Sequence, residues 1–252
     1  MKTALIGYTG FIGSNLAKQF KFDDFYNSKN IQDISNKQYD LIVSAGNSGV
    51  KWIANKEPQN DKAAIEQFKK YLKTVNTKAI ILISTVDVYD KTQDVNEDSI
   101  IDATKLAPYG KHRLELEQFI LDNFPKVLIT RLSQVVGPEL KKNFFYDLMN
   151  DNRLDLVDYR TQFQWYNIEN YFNDIRKAIK SNLKIINLVG IPMTAKETAK
   201  KVFNIEFNNK TDSGPLIYDI QTKHGNLLKT KNNYANTEKD VIKDLKRLAN
   251  IK

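Results

Sequence analysis

A glycine-rich segment near the start of the chain has the residue types of a phosphate-binding turn. Gly7, Gly10 and Gly13 follow a predicted strand at residues 3–6 and precede a helical pattern. Glycines at this spacing permit a tight turn and close approach of the backbone to a pyrophosphate, while the helix N-terminus faces the negative charge. The alternative is a purely structural turn. We predict that this turn binds a dinucleotide through the residues Gly7, Thr9, Gly10, Phe11, Ile12 and Gly13.

The residues after the predicted second strand indicate which nicotinamide cofactor the chain binds, NAD or NADP. NAD sites of this kind usually carry an acidic side chain there, which holds the adenosine ribose. Here Asp23 and Asp24 come earlier, and Asn27, Ser28 and Lys29 stand at the strand end, where they offer donors and a cation to a 2′-phosphate. The segment therefore favours NADP over NAD, although the same residue types also favour a simple turn.

Three further segments follow in an order that resembles a known family. They are ILISTVDVY at residues 81–89, PYGKHRLE at 108–115 and RLSQVVGP at 131–138. Together with the G-x-x-G-x-x-G spacing, they resemble the extended short-chain dehydrogenase/reductase family of NAD-dependent epimerases and dehydratases. The resemblance covers residues 1 to about 140. It implies a Rossmann-like fold, a nicotinamide cofactor and a nucleotide-sugar substrate.

The resemblance gives Thr85 the family's hydroxyl position at the end of a strand, with Tyr89 closing the motif. A hydroxyl at that position can hydrogen-bond a substrate oxygen and help to orient a proton donor. The alternative is a buried threonine with a structural role. The candidate cofactor site also includes Ala45 and Gly46, Tyr109 and Arg113.

Tyr109 takes the place of the family's catalytic tyrosine, and Arg113 stands four residues later, where the family has lysine. This spacing brings a cation beside the phenol on one helix face, and a cation lowers a phenol pKa from its usual value near 10. Tyr109 would exchange a proton with the substrate while the nicotinamide takes or gives hydride. Arg113 keeps the charge, but its planar fork does not reproduce an ammonium. His112 has two interpretations, a proton shuttle or a surface histidine on the helix, and we expect the second.

Asp87 and Arg131 are the candidate substrate contacts. Family dehydratases carry an Asp-Glu pair directly after the hydroxyl residue, whereas this chain has Val86 and Asp87 there, so the resemblance favours a reductase or an epimerase. Arg131 begins the segment that resembles the family's R-x-x-x-V-x-G-P signature, and its cation could meet a diphosphate.

The candidate site residues lie in or next to short apolar runs that alternate with helical patterns. These runs and patterns predict the strands and helices that hold the site. The runs at 3–6, 22–26, 40–45, 79–84 and 126–132 predict strands buried on both faces. Helical patterns near residues 65–72 and 116–120 predict crossover helices. The alternation predicts an α/β, Rossmann-like, doubly wound parallel sheet over residues 1–140.

We predict that residues 141–252 form a smaller C-terminal substrate lobe. As an alternative, residues 184–203 pack with the Rossmann core. Strands are expected at 154–159 and 185–189, and a helix at 168–179. Thr194 with Glu197, and Thr237 with Asp240, have the spacing of capping boxes at the starts of two more helices.

Composition limits the function classes. The 252 residues include no cysteine, which excludes disulfides and thiolate sites, and we predict no metal site. No apolar run approaches the roughly 18 residues of a membrane span, so we expect a cytoplasmic protein without a membrane partner. The net charge of +8 comes from dispersed lysines, and we expect no nucleic-acid partner.

Three functions remain open. The first is an NAD(P)-dependent oxidoreductase or epimerase of a nucleotide-linked or other activated sugar. The second is a catalytically weak or inactive NADP-binding regulatory protein, which the arginine at position 113 and the short lobe favour. The third is a nucleic-acid-associated protein that uses its basic charge. The resemblance also implies a homodimer through the two long crossover helices.

Overall fold

The computed structural model describes residues 1–251 and has an α/β architecture. Its strands are β1 (Thr3–Ile6), β2 (Asp24–Tyr26), β3 (Gln38–Tyr39), β4 (Leu41–Ser44), β5 (Asn76–Thr77), β6 (Ile80–Thr85), β7 (Gln93–Val95), β8 (Val127–Leu132), β9 (Gln134–Val136), β10 (Gln162–Asn167), β11 (Ile185–Leu188), β12 (Pro192–Thr194) and β13 (Asp219–Ile220). Its α-helices are α1 (Phe11–Gln19), α2 (Lys51–Lys56), α3 (Pro58–Leu72), α4 (Pro108–Asn123), α5 (Phe144–Asn150), α6 (Tyr171–Lys180), α7 (Ala195–Thr198) and α8 (Glu238–Leu248).

The central sheet is parallel and has six strands in the order β11-β8-β6-β4-β1-β2. The first strand, β1, pairs with β2 on one side and with β4 on the other, so the chain winds in both directions from it. All four residues of β1 are buried, as parallel strands covered on both faces require. The predicted doubly wound, Rossmann-like sheet is confirmed. Sheets of this kind bind ligands at the carboxyl ends of their strands, where the order reverses.

Helices α3 and α4 are the predicted crossovers, and their apolar stripes share a core with the sheet. Each begins with a proline in its first turn, where the missing N–H costs no hydrogen bond. The apolar stripes and the strand residues beside them are buried together: Ile42, Ile65, Phe68, Leu72, Leu82, Leu116 and Ile120. Burial of each such side chain contributes about 1.5–3 kcal/mol.

The chain divides into two compact units. The first contains Met1–Asp90, Ile100–Arg131 and Phe172–Ile186, and the second contains the remaining described segments. The sequence led us to expect a division at residue 140, with residues 184–203 adding back to the Rossmann core as an alternative, whereas the segment that the structure groups with the first unit is Phe172–Ile186. The reason is that α6 and the start of β11 return to the sheet, where Ile129 N–H donates to the Lys184 carbonyl at 2.8 Å.

The second unit has a three-stranded sheet, β12-β10-β9, and a pair, β13-β7. Its core is rich in aromatic side chains, and Phe163 stacks on both Phe144 and Trp165 with ring centres 5.1 and 4.9 Å apart. Helices α7 and α8 begin with the predicted capping boxes, which the structure confirms.

The strand predicted at residues 154–159 is wrong. Leu154–Leu156 forms a short 3-10 turn, and β10 begins only at Gln162. The buried Asp158 carboxylate accepts the Arg160 N–H at 2.9 Å, and the Asp158 carbonyl accepts the Thr161 N–H at 2.9 Å. Aspartate favours such turns because its side chain bonds the backbone two residues on.

Candidate active site

The glycine turn after β1 is closed by backbone packing. Gly7 has a φ of +85°, and a Cβ there would lie 2.3 Å from the Ala45 carbonyl oxygen. A Cβ on Gly13 would lie 2.0 Å from the Gly7 carbonyl oxygen. In contrast, a Cβ on Gly10 would come no closer than 3.4 Å to any of the atoms around it. Gly7 and Gly13 are therefore required by the fold, whereas Gly10 borders open space.

This turn has the properties of a phosphate site. Gly10 is the N-cap of α1, and the first turn of that helix contains no acidic residue. Thr9 and Gly10 are exposed, and Phe11 and Ile12 are half-buried behind them. A helix N-terminus carries a partial positive charge and attracts anions. The residues present therefore fit the pyrophosphate of a dinucleotide.

The turn after β2 lies beside the glycine turn. Gly7 N–H donates to the Tyr26 carbonyl at 2.7 Å, which joins the two segments. The Asn27 side chain accepts the Lys29 N–H at 2.8 Å and closes a turn, as the simpler interpretation expected. Ser28 and Lys29 are exposed on this turn. The segment is therefore a turn, as the simpler interpretation expected. It also exposes the hydroxyl and the ammonium on which the NADP interpretation depends.

The end of β6 meets the start of α4. A Cβ on Gly110 would lie 2.0 Å from the Asp87 carbonyl oxygen, so only glycine lets the helix approach this closely. The Thr85 hydroxyl accepts the Asp87 N–H at 3.1 Å, and Thr85 is one of the groups that act on the pKa of the Tyr109 phenol. The structure thus brings together three residues chosen from the sequence: Thr85, Asp87 and Tyr109. It also assigns to Gly110 a packing role that the sequence motifs did not indicate.

Arg113 is held away from the tip of the phenol. Its guanidinium donates to both carboxylate oxygens of Asp61 at 2.7 and 3.0 Å, and to the Ser48 carbonyl at 2.7 Å. Its central carbon lies 4.5 Å from the centre of the Tyr109 ring. Arg113 therefore stacks on the face of the tyrosine, and a bidentate carboxylate balances its charge.

Asp61 also binds His112, whose Nδ1 lies 2.8 Å from Asp61 Oδ2. His112 is only 6% exposed, so its expected place on the surface is wrong. Burial alone would raise the pKa of Asp61, but hydrogen bonds from Arg113 and His112 outweigh it and hold the pKa below its ordinary value. Asp61 is therefore ionised at neutral pH. It is the counter-ion of Arg113 and the hydrogen-bond partner of His112.

The environment of Tyr109 favours a protonated phenol. Burial raises the pKa of Tyr109, and the Asp87 carboxylate adds to this effect. The charges of Arg113 and Lys51 and the Thr85 hydroxyl lower the pKa, but burial outweighs them. The sequence motif led us to expect a lowered pKa, and the net direction is the opposite.

The short helix α2 holds this site together, although sequence analysis did not identify it. Lys51 Nζ lies 2.5 Å from Asp87 Oδ1, and Asn55 Oδ1 accepts the Tyr109 N–H at 2.9 Å. One signal could have indicated these residues. They follow the end of β4, and segments that leave the carboxyl ends of parallel strands gather at the same edge of a sheet.

Arg131 is buried rather than presented to a ligand. Its Nη2 lies 2.7 Å from Glu117 Oε2, and its guanidinium stacks 4.8 Å from the centre of the Tyr89 ring. The Ser84 hydroxyl donates to the same glutamate. This geometry ties β6, α4 and β8 together and gives no support to a substrate contact by Arg131.

The described part of the chain has neither a cluster of metal ligands nor a membrane-spanning helix. Within residues 1–251, no group of three or more His, Asp or Glu side chains could hold a metal ion. In the same part of the chain, no helix is both long enough and apolar enough to cross a membrane.

Comparison with known proteins places the fold. No model of a protein family matches this chain, and no curated protein does. Solved structures match along nearly the whole chain. One is dTDP-4-dehydrorhamnose reductase from Bacillus anthracis str. Ames in complex with NADP, at 17% identity and a TM-score of 0.75, with 98% of each chain covered.

Two other solved structures are similar. UDP-N-acetylglucosamine 4-epimerase from Methanobrevibacter ruminantium M1, in complex with UDP-N-acetylmuramic acid, has 13% identity and a TM-score of 0.73, covering 99% of this chain and 97% of that one. MoeE5 in complex with UDP-glucose and NAD has 15% identity and a TM-score of 0.73, covering 99% and 98%. The chain therefore has the Rossmann-like fold of these epimerases and reductases, which confirms the resemblance at the level of the fold.

Proposed function

We propose that this protein is an NAD(P)-dependent oxidoreductase or epimerase of a nucleotide-linked or other activated sugar, with NADP as the preferred cofactor. One observation carries the proposal. Thr85 ends β6 and Tyr109 lies in the first turn of α4, which packs closely on Asp87, and both residues belong to the same compact unit as the glycine turn. The solved structures of similar fold add support, since those described above contain NADP, NAD, UDP-glucose or UDP-N-acetylmuramic acid.

The residues of the site favour the reductive direction. A bound reduced nicotinamide would supply a hydride to the carbonyl carbon of the substrate. Tyr109 donates its phenolic proton to the carbonyl oxygen, so that an alcohol forms. The Thr85 hydroxyl would hydrogen-bond the substrate oxygen and help to orient the phenol. Because the pKa of Tyr109 is raised, the phenol keeps its proton throughout the neutral range and is present in the form that can donate it.

The cofactor assignment uses the exposed groups of both turns. The backbone around Gly10 and the N-terminus of α1 would hold the pyrophosphate. Ser28 and Lys29 would hold the 2′-phosphate of NADP, because both are exposed directly after β2. Ala45 and Gly46, which follow β4, complete the proposed cofactor site.

The test is NADPH oxidation in the presence of dTDP-linked and UDP-linked keto sugars. Tyr109→Phe is expected to lower turnover by about 10²–10⁴-fold while NADPH still binds. Tyr71→Phe, the same change on α3, is the matched control and should retain full turnover. Unchanged turnover in the Tyr109 variant would exclude tyrosine acid catalysis. A wild-type protein that oxidises NADPH with none of these sugars would argue against the substrate class.

A second candidate is a regulatory protein that binds the cofactor without turning it over. The pairing of Arg113 with Asp61 favours this candidate, because a neutralised arginine does not lower the pKa of the phenol as far as a free cation would. It predicts saturable NADPH binding with no hydride transfer to any keto sugar.

The proposal extends to the oligomeric state and the cellular location of the protein. We infer a homodimer through α3 and α4 from the family resemblance, and we retain the cytoplasmic location that the sequence led us to expect. Sedimentation equilibrium of the purified protein tests the first, and a mass equal to one chain at micromolar concentration would contradict it.

A further inference from the structure

The irregular segment that follows β4, residues 45–49, lies directly against the glycine turn, and we call it the β4 loop. A Cβ on Gly7 would lie 2.3 Å from the Ala45 carbonyl oxygen and 2.7 Å from Gly46 Cα. The glycine turn and the β4 loop follow β1 and β4, which are paired strands at the point where the strand order reverses. Sheets of this kind bind ligands in the crevice at that point. The β4 loop therefore forms one wall of the proposed cofactor site.

The β4 loop lacks the regular structure that would fix its conformation. None of residues 45–49 belongs to a helix or a strand, and Gly46, Ser48 and Gly49 are exposed. A Cβ on Gly49 would meet no atom within 4 Å, so this position borders open space. A glycine backbone adopts many conformations. The loop therefore depends on contacts from other elements for its order.

Arg113 of α4 makes such a contact at the middle of the loop. Its Nη2 donates to the Ser48 carbonyl at 2.7 Å and to Asp61 Oδ1 at 3.0 Å, and its Nη1 donates to Asp61 Oδ2 at 2.7 Å. A carboxylate that accepts from both nitrogens fixes the plane of the guanidinium. The guanidinium also stacks on the Tyr109 ring, 4.5 Å from its centre. One side chain thus joins the β4 loop, α3 and the candidate acid.

We propose that Arg113, oriented by Asp61, is a positioning residue that holds the β4 loop in the conformation that binds the cofactor. This inference rests on the proposed function, because it assumes that a dinucleotide binds beside the loop. Arg113 is only 4% exposed, so it acts through the Ser48 carbonyl and not by touching the cofactor. A loop that is already held in its bound conformation loses less conformational entropy on binding, which raises the affinity.

Arginine suits this role, whereas lysine does not. A guanidinium is a rigid fork with five donors, and an ammonium is a compact point charge on a flexible stem. An ammonium at position 113 can pair with Asp61, but it cannot reproduce the two-oxygen contact together with the bond to Ser48. Arg113→Lys therefore keeps the positive charge beside Tyr109 and removes the anchor of the loop, which separates a positioning role from a role of the charge.

The test measures the order parameters of backbone amides by ¹⁵N relaxation, without cofactor or substrate. We expect amides of the β4 loop at about 0.85 in the wild type, as in rigid backbone, and below about 0.6 in Arg113→Lys, as in flexible segments. Amides of α1 should stay at about 0.85 in both proteins, which reports an intact fold. Lys111→Arg, the reverse substitution at an exposed position of the same helix, is the control and should match the wild type.

A β4 loop as rigid in Arg113→Lys as in the wild type would overturn the proposal. Asp61→Asn is the second variant, and it decides the question if Arg113→Lys does not fold. It keeps the arginine but removes the carboxylate that fixes the guanidinium plane, so we expect lower order parameters in the β4 loop although the substitution lies on α3. Wild-type order in this variant would overturn the role of Asp61.

NADPH titration and turnover provide the second readout. Arg113→Lys should weaken NADPH binding by about tenfold or more and raise the KM for NADPH, with little change of kcat at saturating NADPH. Wild-type NADPH affinity in Arg113→Lys would overturn the proposal, and a fall in kcat alone would assign Arg113 to the phenol. If the wild type binds no NADPH, the proposed function fails, but the order parameters still decide whether Arg113 holds the loop. The two failures are therefore distinguishable.

Discussion

The pairing of Arg113 with Asp61 limits what this arginine can do beside Tyr109. Asp61→Asn is expected to destabilise the protein by about 3 kcal/mol, because it leaves a buried guanidinium without its counter-ion. It should also lower the pKa of Tyr109, because the charge of Arg113 is then no longer balanced. Urea unfolding measures the first effect, and ¹³Cζ titration of the tyrosine measures the second.

The matched control for this change is Glu66→Gln on the same helix, where the carboxylate pairs with Lys69 at the surface. It should alter the free energy of unfolding by less than about 1 kcal/mol. Equal effects of the two substitutions would show that the Asp61 pair contributes nothing beyond a surface contact.

Asp61 also makes stability depend on pH. Its pKa in the folded protein lies below its ordinary value, so its contribution is present above the unfolded pKa of about 4 and is lost as pH falls through the folded pKa. We expect the wild type to lose stability on the acid side more steeply than Asp61→Asn. Urea midpoints measured from neutral pH to about pH 3 test this, and parallel curves would contradict it.

Lys29 carries the expected preference for NADP. Lys29→Glu should weaken NADPH binding by about tenfold or more and leave NADH binding equal or tighter, because a carboxylate repels a 2′-phosphate and accepts ribose hydroxyls. Lys21→Glu makes the same charge change at another exposed position of the same unit and is the control. Titration of each variant with both cofactors measures the ratio. An unchanged ratio in Lys29→Glu would remove this residue from the site.

Sequence motifs pointed to some residues of the candidate site and missed others for a physical reason. Thr85 and Tyr109 were predictable because each stands in a local pattern. Lys51 and Asp61 were not, because their roles arise only when α2 and α3 pack against α4 and the end of β6. Local patterns also could not show that burial would outweigh the cations around Tyr109.

Two glycines of the glycine turn have different predicted roles, Gly13 in packing and Gly10 in cofactor binding. Gly13→Ala should prevent or severely weaken folding, since its Cβ would lie 2.0 Å from a backbone carbonyl. Gly10→Ala should fold with a loss of about 1 kcal/mol or less, because the nearest atom is 3.4 Å away, yet lose NADPH affinity by about tenfold or more. Thermal unfolding and NADPH titration of both variants test the contrast. Wild-type affinity in Gly10→Ala would show that no phosphate approaches this turn.

Strands and helices differed in how far they could be predicted. The sheet strands are apolar runs bounded by polar residues, and their positions were within two residues of those observed for β1, β2, β4, β6 and β8. The short helix α2 has too few residues for a periodic pattern to appear. The missed turn around Asp158 depends on a side chain that bonds its own backbone, which apolar periodicity does not report.

The discontinuous division of the chain predicts how fragments behave. A fragment of residues 1–140, the predicted Rossmann domain, lacks α6 and β11 and so leaves β8 without its outer neighbour. We expect it to unfold without a cooperative transition, because the sheet would expose an apolar edge. Near-ultraviolet circular dichroism during urea unfolding checks this. A cooperative transition like that of the full chain would show that α6 and β11 are dispensable.

The cut at residue 140 followed a change of local pattern, and such a change does not report where a later segment packs. The return of Phe172–Ile186 to the first unit depends on contacts made across the sheet. A hydrophobic strand such as β11 is compatible with either unit until its partner is known. Long-range pairing is therefore the part of this fold that one sequence leaves open.

The most direct measurement is titration of the purified protein with NADPH and NADH, followed by nicotinamide fluorescence. We predict saturable, micromolar binding with a preference for NADPH, and an affinity about tenfold or more weaker in Gly10→Ala without loss of fold. Binding of neither cofactor by the folded wild-type protein would contradict this prediction and would mean that the glycine turn has only a structural role.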